Sequence, residues 1–174
     1  MTYHETSTAG PLEIRQEAGA SREILEMAGR LEGYDMSFVT DKLVDDGGIV
    51  REDVQAATTE FKKFMVLAGM DIKPLAMIGP VVDEVWHQFI LFTSHYREFC
   101  EKTVGRFIGH QPDTVLTPIP LEAGQNFLRA YKKFFGDLPT IWFRGMDERT
   151  ISYYSSAVRS GPPPMRWSGW TGKD

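Results

Sequence analysis

The stretch Pro80-Val81-Val82-Asp83-Glu84-Val85-Trp86-His87-Gln88-Phe89-Ile90-Leu91-Phe92-Thr93-Ser94-His95-Tyr96-Arg97-Glu98-Phe99-Cys100 decides the fold. It is dense in apolar side chains and carries no internal Gly or Pro after Pro80. Gly79-Pro80 is a helix start, because proline lacks the N–H that would find no intrahelical partner in the first turn. Asp83 and Glu84 follow where negative charge opposes the positive end of the helix dipole. Val82, Val85, Phe89, Phe92, Tyr96 and Phe99 recur at helical spacing and make one broad face, with Trp86, Thr93 and Cys100 beside it. The reading is one helix over 80–101, central and buried on more than one side.

Asp83 and His87, one helical turn apart, lie between Ile90 and Leu91 on the opposite side. Two readings follow from the residue types. One is a structural carboxylate–imidazole pair, worth only tenths of a kcal/mol if solvated. The other is a ligand pair or acid–base dyad, since Asp-x-x-x-His on one helix presents both groups to one ion or substrate.

Working outward, Ser21 caps a helix carrying Ile24, Leu25, Met27, Ala28 and Leu31, which Gly33 ends. Asp35 or Ser37 caps a second, and Asp45-Asp46-Gly47-Gly48 breaks it as a turn. Arg51 to Ala68 is amphipathic, with Val54, Ala57, Phe61, Phe64, Met65 and Ala68 on the core face and Glu60, Lys62 and Lys63 opposite. Beyond the central stretch, Gly105 to Pro112 is a glycine-punctuated loop that carries His110. A helix over 121–135 follows, then a short apolar segment, 138–143, and a last helix or irregular cover over 146–158. The expected fold is all-α, a compact bundle of five or six helices. The expected organisation is a leader over 1–19, one helical domain over 20–159 and a tail over 160–174. Trp167 and Trp170 in that tail are costly to leave in water, so it is expected to lie on its own domain, a second copy or a protein partner.

The chain has 174 residues, a net charge of −5, 42% hydrophobic residues and a single cysteine. The negative balance and the lack of a basic aromatic patch argue against nucleic acid as a partner. One cysteine excludes an internal disulfide and fits a reducing, cytoplasmic setting, and no run reaches membrane-spanning length.

The run Val82-Asp83-Glu84-Val85-Trp86-His87, followed by Ile90-Leu91, Thr93, Tyr96, Phe99-Cys100, Gly105-Arg106-Phe107 and His110, resembles the glycine-rich domain-containing protein family. Glu60-Phe61-Lys62-Lys63-Phe64, Tyr131-Lys132-Lys133-Phe134-Phe135-Gly136 and Ile141-Trp142 extend the likeness over about residues 50 to 145. The resemblance implies a helical domain and no particular reaction; plant members are linked to growth and stress responses. Phe89 stands where many members carry a second histidine, and the glycine-rich block itself is missing from this chain.

Asp83, His87, Cys100 and His110 recur in the resemblance. On a straight helix Cys100 points about 140° away from His87, so the thiol belongs with the core aromatics. Tyr96 reads as core, its hydroxyl needing a partner, and His95 and His4 as solvated. His110, on its loop, can reach the Asp83–His87 side. Asp83, His87 and His110 are therefore the candidate metal site, suited to one divalent ion such as zinc or iron with an open position for water or substrate. The competing reading is a buried polar network that needs no ligand, in a non-catalytic interaction or scaffold module.

Overall fold

The computed structural model describes residues 12–46, 48–111 and 119–160. His4, Trp167 and Trp170 lie outside the described residues, and so does the partner surface expected of the tail. Among the described residues there are seven α-helices and no strand. They are α1 (Arg22–Gly33), α2 (Ser37–Asp46), α3 (Arg51–Gly69), α4 (Pro80–Leu91), α5 (Thr93–Phe99), α6 (Leu121–Phe135) and α7 (Glu148–Ser160). The all-α bundle is as expected, and its caps are the ones the sequence offered. Ser21 Oγ accepts from the Ile24 N–H at the start of α1, and Asp35 Oδ1 accepts from the Ser37 N–H before α2.

α3 packs against α1, α2, α4 and α6. Its Ala57, Phe61, Phe64, Met65, Val66 and Leu67 are buried and meet Val82, Val85, Trp86 and Phe89 of α4 in one core. The N-terminus of α4 is seated on Trp142, which lies in a 3-10 turn at Thr140–Phe143. A Cβ on Gly79 would come within 2.7 Å of the indole and 3.2 Å of the Trp142 carbonyl oxygen. Gly79 is thus there for close approach as well as for starting the helix.

The stretch 80–101 is not one rod. α4 ends at Leu91, Phe92 leaves helical geometry (φ −83°, ψ 58°), α5 restarts at Thr93, and a π turn over Cys100–Val104 follows. Tertiary contacts at the joint overrule local pattern. The half-buried Phe92 ring packs edge-on against Phe38 of α2, with ring centroids 5.2 Å apart. The break also brings Tyr96 back to Trp86, and the two are joined by a 2.9 Å hydrogen bond. On a continuous helix their Cα atoms would be about 15 Å apart along the axis.

Residues 12–18, expected in the leader, lie against the bundle. Leu12 and Ala18 are buried, and the Arg15 N–H donates to the Phe134 carbonyl at 2.8 Å. No helix among the described residues is long and apolar enough to cross a membrane.

Candidate metal centre

Three elements build the site. α4 supplies Asp83 and His87 one turn apart, on its side away from α3. The π turn closes with Gly105 at φ 85°, in the left-handed region where a Cβ is disfavoured, and this reverses the chain. The loop that follows is pinned twice. Arg106 Nη2 donates to the Ala68 carbonyl at 2.7 Å and pairs with Asp71 at 3.1 Å. Ile108 is buried, and its carbonyl accepts from the Tyr96 hydroxyl at 2.5 Å. His110 therefore arrives over α4 on a braced loop.

Each oxygen of Asp83 faces one imidazole. Oδ1 is 3.1 Å from His110 Nε2, and Oδ2 is 3.5 Å from His87 Nε2. The two imidazole rings lie 4.7 Å apart. One ligand atom from each of Asp83, His87 and His110 can be chosen so that all lie within 4.8 Å of one another. The centre is lopsided toward solvent: the His110 side chain is 12% exposed, Asp83 23% and His87 47%. The expected burial of α4 on more than one side does not extend to Leu91, which lies one turn beyond His87 and is 72% exposed. Glu84 adds a second carboxylate, 3.9 Å from His87 Nδ1.

Behind His110 sits an aromatic wall. The Trp86 ring meets the His110 ring nearly perpendicular, at 4.5 Å. The indole N–H donates to the Tyr96 hydroxyl, which in turn donates to the Ile108 carbonyl. Burial, with Cys100 beside it, pushes the Tyr96 phenol well above its ordinary range. Cys100 is fully buried, burial pushes its thiol up, and it packs in the same wall. His95 is exposed, its ring 4.9 Å from that of Phe38.

A second carboxylate cluster escaped the sequence reading. Glu60, set on the polar face of α3 with Lys62 and Lys63, is buried at 2% exposure. It accepts from Tyr131 Oη at 2.5 Å, Trp142 Nε1 at 2.7 Å and Lys63 Nζ at 2.8 Å. Lys62 is partly buried too, donating to the Tyr34 and Glu32 carbonyls, and its ammonium pKa is lowered by that burial. Asp53, also buried, pairs with Arg144. The available signal was the set of donors, Tyr131 and Trp142, but nothing local placed them over Glu60.

A family model of UCP032817-like proteins matches residues 35–135. The chain belongs to the UCP032817-like family. The match runs from the entry to α2 to the end of α6, so it holds Asp83, His87 and His110 together with Glu60 and Tyr131. The UCP032817-like family is uncharacterised, and the match does not carry the glycine-rich domain name. No curated protein and no solved structure matches the chain.

Proposed function

We propose that this UCP032817-like protein binds one divalent metal ion through Asp83, His87 and His110 and uses the solvent side of the ion to activate a bound water or oxygen species. The observation that carries the reading is the convergence of two imidazoles on one carboxylate, from a helix and from a braced loop, with one flank open. A tetrahedral ion with bonds of about 2.1 Å needs its ligand atoms about 3.4 Å apart. Contraction from 4.8 Å is within the reach of the half-exposed His87 side chain. Glu84 favours the same state: a short rotation lets it accept from His87 Nδ1–H, which leaves the Nε2 lone pair for the metal. Two imidazoles and a carboxylate leave positions for water, the arrangement of catalytic rather than closed structural sites. Zinc and iron both suit this donor set. A cytoplasmic setting and kinship with the glycine-rich domain-containing proteins belong to the same reading.

One observation favours the alternative of a non-catalytic module. Asp83 already has a hydrogen-bond partner in His110 at 3.1 Å, so the cluster satisfies itself without an ion. Metal analysis of protein purified without a histidine tag separates the two. The metal reading expects about one equivalent in the wild type and loss of most of it in Asp83→Asn. A wild type that holds no stoichiometric metal after exposure to zinc and iron favours the self-satisfied network.

A further inference from the structure

We propose that Tyr96 is a positioning residue for the metal centre: its hydroxyl ties the Trp86 indole to the Ile108 carbonyl and so fixes where His110 presents Nε2. This rests on the metal reading above. A single buried hydroxyl accepts from Trp86 Nε1 at 2.9 Å and donates to the Ile108 carbonyl at 2.5 Å. Those two partners control His110 from opposite ends. Ile108 sets the path of the loop two residues before the imidazole, and the Trp86 ring flanks the imidazole itself at 4.5 Å. The loop's other anchor, Arg106 on Ala68 and Asp71, lies four residues before His110, at the start of the loop.

The break at Phe92 accompanies this bond, since on a continuous helix the two Cα atoms would stand about 15 Å apart along the axis. Without the hydroxyl, a buried indole N–H and a buried carbonyl both lose their partner, and the loop has reason to shift toward water or another donor. A displacement of the order of 1 Å at a ligand is felt strongly by a metal, and loss of a group that orients a ligand typically costs about 10- to 100-fold in affinity.

The test compares zinc affinity in wild type, Tyr96→Phe and Tyr131→Phe, each at one temperature where all are folded. The last weakens the Glu60 cluster, far in sequence from the loop, and controls for general destabilisation. Tyr96→Phe is expected to bind zinc about 10- to 100-fold more weakly, with an altered cobalt absorption spectrum at saturation, while Tyr131→Phe keeps wild-type affinity and spectrum. Equal affinity and spectrum in Tyr96→Phe overturns the proposal. So does an equal loss in both variants. Should Tyr96→Phe not fold, the wild type still decides. Zinc is expected to move the Trp86 indole N–H resonance and leave that of Trp142 in place; zinc binding that moves neither overturns the latch and leaves the metal centre standing. A wild type that binds no zinc, iron or cobalt removes the metal reading and this inference with it.

Discussion

Two carboxylates on neighbouring helices, Glu60 on α3 and Asp83 on α4, have been put to different uses by their surroundings. Glu60 is sealed in and meets a phenol, an indole and an ammonium, all of which only donate to it. Three donors fill most of its acceptor sites, and the residue is only 2% exposed. Such a group ties α3, α6 and the Thr140–Phe143 turn together and is closed to a ligand from solvent. Asp83 meets two imidazoles, which can donate to it or turn a lone pair to a metal, and one of them is half open to solvent. Burial plus one-way donors makes a structural knot, whereas partial exposure plus imidazoles leaves a centre that can change partners. The two are linked through α4, whose Gly79 rests on the same Trp142 that caps Glu60.

The comparison breaks most visibly at Glu60. Glu60→Ala strips the carboxylate from two buried donors, Tyr131 and Trp142, and from the partly buried Lys63 ammonium, and should cost about 3–5 kcal/mol. In a chain of this size that lowers the melting temperature by about 10 °C, measurable by thermal unfolding. A loss near zero would mean that Glu60 is not the knot described. Next comes Trp142→Phe, which keeps most of the packing and removes one bond to a charged group, for about 1.5–3 kcal/mol by denaturant titration.

A smaller effect near neutrality grows in alkali. Burial, then the neighbouring Glu60 carboxylate, pushes the Tyr131 phenol up; burial also pushes up Tyr96 and Cys100. In the unfolded chain the thiol and phenols titrate near their ordinary values of 9.0 and 10.0 while the native groups hold their protons. The folded state then binds more protons than the unfolded one, so stability falls as pH rises through this range. The stabilisation is fully present below about pH 9. Tyr131→Phe should flatten the alkaline limb of a plot of stability against pH; an unchanged limb would contradict the burial argument. The smallest stability effect belongs to His87→Ala. Its pair with Asp83 is half exposed, so the change should cost less than about 0.5 kcal/mol while removing one of the three proposed ligands.

The same contrast explains what could be read from sequence. Apolar recurrence and end signals gave α1, α3 and α6 nearly to the residue, because those helices bury one face against the core and the pattern records it. Asp83 and His87 were legible because one helical turn enforces their proximity. His110 was legible as a candidate because the glycines around it permit a turn back. The break at Phe92 was not, since Phe92-Thr93-Ser94 contains neither Gly nor Pro and the contacts that accompany it, with Phe38 of α2 and between Trp86 and Tyr96, are tertiary. Glu60 was misread for a related reason. Its depth is set by Tyr131 and Trp142, 71 and 82 residues away in sequence, and beside two lysines a glutamate looks like part of a solvated face.

The most direct test is thermal unfolding of tag-free wild type, His87→Ala and Tyr131→Phe with and without saturating zinc, because a ligand that binds only the native state stabilises it by about 2.7 kcal/mol at a hundredfold excess over the dissociation constant. Zinc is expected to raise the melting temperature of wild type and of Tyr131→Phe by similar amounts and to leave that of His87→Ala unmoved. An equal shift in all three, or none in the wild type, would contradict the metal reading.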